Sequence, residues 1–326
     1  MSRTYTLGIV SDIHYAGASE QARGNDYEWR EVANPFLRGL VRFYRRYLWM
    51  RNPLNQNYLL DRFLERANGF DYVIGNGDYC CDSHFLGLSD DAALQSATEC
   101  IEKLRSNFDD KLRLTLGDHE FGKINLTGLR GGMRLESWKR ATELLQLEPF
   151  WQLELGNYVL LGVTSSLIGL PVLEADTLPS ELPEWRELRS AHLGQIRTAF
   201  SSIKPTQRVL LFCHDPSALP FLGREEAVRS RLAQIEHTII GHLHSNLLLW
   251  KSRLLAGIPV ITFLGHTGKK LSTALRDARH WRPFNLRLCP AVAGIELLND
   301  GGFLTVKLDS EAREPARFQI HRLPRD

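Results

Sequence analysis

Five short apolar runs in this chain each end in side chains able to hold a metal ion. They run into Asp12 and His14, into Asp78, into Asp118, His119 and Glu120, into His214 and Asp215, and into His242 and His244. The runs themselves, residues 6–10, 72–74, 112–116, 209–212 and 238–240, are β-branched or Leu-rich, as strands feeding loops are. Along an extended backbone residues two apart share a side, so Asp12 with His14, and His242 with His244, are each predicted to aim two ligands at one place. Layered α/β sheets collect ligands at the carboxyl ends of their strands. A single Asp-x-His or His-x-His is usually a turn or surface pair, but five such clusters, each just after a buried-type strand, point to a metal centre.

The remaining pattern sets the fold class. Runs at 158–164 and 259–264 predict further strands, and 294–298 with 303–308 flank Asn299, Asp300, Gly301 and Gly302, a hairpin signal. Helical periodicity marks 58–67 (Leu59, Leu60, Phe63, Leu64), 92–108 (Ala93, Ala97, Ile101, Leu104), 137–147 and 192–200. Strands alternating with helices predict an α/β layered core. The 326 residues, 43% of them apolar, suffice to bury it. We read one domain over 1–326 with three insertions: a basic, aromatic-rich cap at about 15–57, a Pro/Glu-rich loop at 171–189 and a basic loop at 265–290.

The compartment is read from what the chain lacks. Residues 1–6 show no leader pattern. The stretch 158–173 is too short and too interrupted for the roughly 20 residues of a membrane helix, and reads as a buried strand with its exit loop. Five cysteines without zinc spacing predict buried free thiols in a reducing compartment, hence the cytoplasm. A net charge of +2 names no partner.

The order of these clusters resembles the D-x-H, G-D, G-N-H-[DE], H and G-H-x-H series of the calcineurin-like metallophosphoesterases from residue 6 to about 264. The resemblance implies two mixed β-sheets sandwiched between helices and a phosphate-containing substrate hydrolysed at two divalent metals. Asp12, His14, Asp78 and His244 would hold the first metal. Asp78, Asp118, His214 and His242 would hold the second, with Asp78 bridging. Mixed His and carboxylate donors suit Mn²⁺ first, then Fe or Zn²⁺. Metals about 3.5–4 Å apart can deprotonate water and clamp phosphoryl oxygens. His119 would assist the leaving oxygen.

Two departures stand out. Asp118 occupies a position where the family usually has Asn, which adds negative charge. The acid that the family places three residues after the bridging one to orient the catalytic His is Cys81 here, and Asp82 follows. Either Asp82 or Glu120 is therefore expected to support His119. His266 is a candidate for the rim, while His84, His192, His237, His280 and His321 are read as surface or supporting residues.

Residues 34–51 predict an amphipathic helix with Leu37, Leu40, Val41, Tyr44 and Leu48 on one face and Arg38, Arg42 and Arg45 on another. A second basic stretch, Lys269, Lys270, Arg276, Arg279, Arg282 and Arg287, surrounds Trp281. Such patches suit a cap packed on the core, an anionic membrane surface for a protein peripheral to it, or, less favoured, nucleic acid. Within the family these features resemble the UDP-2,3-diacylglucosamine pyrophosphatases, although that branch often has Arg at the place of His119. A nuclease or cyclic-nucleotide phosphodiesterase, and a non-catalytic scaffold, are the alternatives.

Overall fold

The computed structural model describes residues 3–125, 130–263 and 265–325; the side chains of 265–267, and with them the rim candidate His266, lie outside the described ones. Among the described residues ten strands form two five-stranded mixed sheets. In chain order they are β1 (Thr4–Val10), β2 (Tyr72–Asn76), β3 (Leu112–Thr115), β4 (Phe150–Leu155), β5 (Tyr158–Val163), β6 (Arg208–Cys213), β7 (Ile235–Ile240), β8 (Leu286–Leu288), β9 (Gly302–Asp309) and β10 (Arg317–Arg322). The first sheet runs β10-β9-β1-β2-β3 and the second β4-β5-β6-β7-β8. β1, β2 and β3 are parallel, as are β5 through β8, while β4 joins β5, β9 joins β1 and β10 joins β9 by antiparallel pairing.

Alternation along the strands assigns each side chain to a layer. Leu210 and Phe212 of β6 join Leu7, Ile9, Ile74, Leu304 and Val306 of the first sheet in one buried cluster between the sheets. Val209, Leu211 and Cys213 point the other way, into the helices outside the second sheet. A strand buried on both faces reads as an unbroken apolar run, which is why β5 and β6 stood out in the sequence. The layers are helix, sheet, sheet, helix, as expected.

Six helices carry the later argument: α1 (Pro35–Tyr47), α2 (Tyr58–Arg66), α3 (Asp91–Phe108), α4 (Leu182–Ser202), α5 (Asn246–Leu254) and α6 (Gly265–Asp277). Asn34 starts α1 by accepting from the Phe36 and Leu37 N–H groups, with Pro35 in the first turn. Among the described residues no helix is long and apolar enough to cross a membrane. All five thiols are free and buried.

Several expectations need correction. Residues 259–263 form no strand; Pro259 lacks an N–H, Val260 and Ile261 are only half-buried while Phe263 is exposed, and the Ile261 N–H is taken by Ser272 Oγ at 2.8 Å. The 294–298 arm of the expected hairpin is also absent. Its Ile295 N–H goes to Asp300 Oδ1 at 3.0 Å, so a side chain closes that turn, and β9 pairs with β1 and β10 instead. The Pro/Glu-rich segment is largely helical: Pro183 lies in the first turn of α4, where a missing N–H costs nothing, and Trp185 is fully buried. The basic segment at 265–290 holds α6, a 3-10 stretch and β8 rather than a loop. Beyond β5 the chain leaves in two short helical turns, Ser165–Ile168 and Leu170–Leu173.

Candidate metal centre

The carboxyl ends of β1, β2, β3, β6 and β7 converge, and all seven expected ligands meet there. Asp78, Asp118, His214 and His242 form one set whose donor atoms lie within 4.8 Å of one another. Asp12, His14 and His244 form a second, and His14, Asp78 and His119 a third that joins the two. Asp78 therefore sits between the sets, where a bridging carboxylate would.

The means of convergence differs from the expected alternation along extended backbone. Asp12, His14, Asp78, His242 and His244 all have left-handed backbone, with φ between 49° and 59°. Each Asp-x-His or His-x-His pair is a kinked loop beyond its strand, so the backbone reverses at each donor. Such conformations cost about 1 kcal/mol or more apiece for residues with a Cβ and persist where the surroundings over-determine them. The neighbouring glycines are needed for close approach. A Cβ on Gly117 would lie 2.2 Å from Asp78 Oδ1, and one on Gly241 2.3 Å from Ser11 Oγ and 2.7 Å from Asp12 Oδ2.

The donor chemistry fits cations. His214 places Nδ1 2.6 Å from the Asn76 carbonyl, which fixes the proton there. Its Nε2 then faces Asp78 Oδ2 at 3.1 Å and Asp118 Oδ1 at 3.3 Å; against burial these carboxylates push its pKa well up, so a proton or a metal ion must lie between them. Nε2 of His14 and Nε2 of His244 likewise face each other at 3.3 Å, with Asp12 Oδ1 3.3 Å from the latter. Asp12 Oδ2 and His214 Nε2 are buried without a hydrogen-bond partner. The set is therefore well matched to two divalent metals.

His119 Nδ1 donates to the Cys81 carbonyl at 2.9 Å, and Nε2 turns toward the cluster, 3.8 Å from Asp78 Oδ2. Neither expected supporter touches it. Asp82 Oδ1 accepts from the Leu86 and Gly87 N–H groups at 2.9 and 2.8 Å, because its left-handed backbone turns the side chain into the next loop. Glu120 accepts from the N–H groups of Gly117, Asp78 and Tyr79 at 2.8, 3.1 and 2.8 Å, tying the β2 and β3 loops together. Burial and the Asp78 charge raise the Glu120 pKa to about 7. The backbone carbonyl of Cys81 thus does what a carboxylate was expected to do.

Sequence reasoning missed Lys123. Its ammonium contacts His119 Nε2 and lies 3.3 Å from Asp118 Oδ2. Burial opposes charge on Asp118, yet Lys123 and then His242 hold its carboxyl well below the ordinary range. Burial, then Lys123, lowers His119 to about 3, so its imidazole is neutral at pH 7. Against burial, Asp118 and Asp215 raise His242 to about 9. A lone lysine four residues after His119 carries no one-dimensional signature.

The cluster forms the floor of a cleft of about 470 Å³. One wall comes from the cap segment, through Tyr27, Tyr44, Trp49 and Met50, and the other from Leu248, Leu271, Ala274 and Leu275. The Trp49 ring packs 4.6 Å from that of His244, so the cap reaches the candidate ligands directly. Arg45, expected to face solvent, is only 3% exposed and pairs with Glu28.

Comparison with solved structures returns phosphatases and a hydrolase at low identity. A dimetal phosphatase from Danio rerio is 14% identical, with 98% of this chain and 99% of that one covered and a TM-score of 0.49. A phosphopantetheinyl hydrolase from Mycobacterium tuberculosis is 12% identical over 73% of this chain and 83% of that one, with a TM-score of 0.35. A purple acid phosphatase from yellow lupin seeds is 11% identical over 99% and 55%, with a TM-score of 0.42. No curated protein sequence matches significantly. The family model for calcineurin-like phosphoesterases matches residues 5–246, a span that takes in every strand-end cluster from Asp12 to His244, and the chain belongs to that family.

Proposed function

We propose that the chain hydrolyses a phosphoester or phosphoanhydride, with two divalent metals held by the seven strand-end residues. The observation that carries this reading is the buried convergence of Asp12, His14, Asp78, Asp118, His214, His242 and His244, with their ring nitrogens and carboxylate oxygens facing one another across the cluster. Asp12, His14 and His244 would hold one ion and Asp118, His214 and His242 the other, with Asp78 between them. Mn²⁺, Fe and Zn²⁺ suit such donors, and two such ions supply a water nucleophile at neutral pH and charge stabilisation for phosphoryl oxygens.

The remaining work falls to the chain's own groups. Glu120 and the Cys81 carbonyl keep Asp78 and His119 in register. His119 and Lys123 act as a pair beside the leaving oxygen. The imidazole is neutral and accepts from the ammonium, so Lys123 would supply the proton or hydrogen bond to the leaving oxygen while His119 orients it. Lys123 also offsets the negative charge that Asp118 adds where the family usually has Asn.

The apolar walls of the cleft favour a substrate whose phosphate adjoins an apolar body over a nucleic-acid strand. A lipid-linked nucleotide anhydride is one member of that class. The test is a substrate panel with Mn²⁺ that includes a phosphomonoester, a soluble diester, a lipid-linked anhydride and single-stranded DNA, run beside elemental analysis. Hydrolysis of an ester or anhydride, abolished by chelation, is expected. Two tightly held ions with no turnover of any of the four would instead make the chain a scaffold.

A further inference from the structure

Exposed large apolar side chains are not spread evenly over this molecule. Of fifteen among the described residues, ten lie on two stretches: Phe36, Leu37, Leu40, Phe43 and Tyr47 on α1, and Trp250, Leu254, Leu255, Phe263 and Leu271 on and between α5 and α6. Scattered exposed apolar residues are ordinary, but concentration on two elements marks an interaction surface. Phe36, Leu40, Phe43 and Tyr47 recur at helical spacing, so they form one outward stripe along α1, with Phe36 83% exposed. Val41 and Tyr44, on the adjacent stripe, line the cleft. On α5 and α6, Leu248, Leu271 and Ala274 line the same cleft from the other side. The two apolar surfaces therefore flank one mouth.

Charge on these stretches has a single sign. Residues 32–60 and 246–276 contain ten Lys and Arg and no Asp or Glu, in a chain that holds 38 acidic residues. Arg45, Lys270 and Arg276 are spent on Glu28, Asp176 and Asp277. Arg42 and Arg46 are exposed beside the outward stripe of α1, and Lys251 and Lys269 are exposed on α5 and α6.

We propose that α1 and the α5–α6 stretch seat the chain on an anionic lipid surface, with the mouth of the cleft turned toward it. Aromatic and Leu side chains enter the headgroup boundary while the flanking cations meet lipid phosphates, the two attractions that a surface-bound amphipathic element combines. A protein partner would need acidic groups to match, whereas an anionic bilayer offers apolar and anionic chemistry side by side over the whole face. An amphiphilic substrate would then reach the metal cluster between the two walls without crossing water. Only that last step rests on the hydrolase reading.

The test is co-sedimentation of the full chain with vesicles of phosphatidylcholine alone or with about one-third phosphatidylglycerol, at low and high salt. Wild type is expected to bind the anionic vesicles and to leave them at high salt. Arg42→Gln with Arg46→Gln should weaken partitioning about 30-fold, since each cation near such a surface is worth about a factor of five. Phe36→Ser with Phe43→Ser should weaken it by at least about 100-fold. All four positions are exposed, so thermal melting and hydrolysis of a small soluble ester should be unchanged. Wild type that ignores anionic vesicles at low salt overturns the proposal, as does binding that survives both pairs of substitutions. A dimer in sedimentation equilibrium that Phe36→Ser with Phe43→Ser dissociates would overturn it in favour of self-association. Vesicle binding without turnover of any ester would sink the hydrolase reading and leave this one standing.

Discussion

Removing the Lys123 ammonium should expose the extra charge of Asp118 to an anionic substrate. The two groups lie 3.3 Å apart. At an effective dielectric of about 20, unit charges at that distance interact by about 5 kcal/mol. The Lys123 side chain keeps 30% of its exposure, so screening by solvent leaves about 1–3 kcal/mol of coupling. That corresponds to roughly 5- to 150-fold in KM. The assay compares wild type, Lys123→Met, Asp118→Asn and the double variant on a soluble phosphodiester at saturating Mn²⁺, with metal content measured for each. Lys123→Met should raise KM by that factor. In the double variant KM should return to within about threefold of wild type, because the charge that Lys123 offsets is gone. The kcat of the double variant should stay low, since the proton donor beside His119 is still missing. If the two KM effects simply add, Lys123 does not compensate Asp118 and the electrostatic argument is wrong.

Three further outcomes follow from the same geometry. Asp78→Ala should remove both ions, because Asp78 lies between the two ligand sets; elemental analysis that finds two ions retained would contradict the bridging role. His119→Ala should keep both ions yet slow turnover by about 10²–10⁴-fold, most for poor leaving groups, and a fall in metal occupancy would make it a ligand. His192 is buried, accepts from the Thr164 N–H at 3.1 Å, and is held by burial at a pKa of about 4. The unfolded chain takes up that proton first, near pH 6.5, so stability is complete above that value and falls by about 1.4 kcal/mol per pH unit down toward 4. Urea melts at pH 7 and 4.5 should show this loss in wild type and less of it in His192→Gln.

The candidate centre was legible because its residues are punctuation: polar side chains that interrupt buried runs at the points where strands end. Both faces of β5 and β6 are covered, so their sequences are unbroken apolar runs and easy to find. The edge strands β4 and β10 were missed because their outer faces are solvated, and β10 alternates polar with apolar residues only weakly. The run before α6 read as a strand because a short apolar segment carries no sign of how deeply it is buried, and here it is half-buried at most. Lys123, the Cys81 carbonyl and the pairing of Arg45 with Glu28 depend on distances between loops. No spacing along the chain records them. The departure from the usual acid at position 81 was visible, but its resolution by a backbone carbonyl was not, since every residue has one.

The left-handed backbone at five of the seven candidate ligands changes what substitution does there. In most of a folded chain glycine is among the least stable replacements, because it frees the unfolded state and fills no space. At Asp12, His14, Asp78, His242 and His244 the folded backbone already occupies the conformation that glycine adopts without strain. Replacing a donor with glycine there relieves torsional strain and removes like-charge or lone-pair crowding while abolishing a ligand. Strain relief at such positions thus offsets part of what the lost side chain held, as where Asp12 accepts from the His242 N–H and Asp78 from that of His119. A survey ranking substitutions by abundance or melting temperature would therefore understate the damage at these donors.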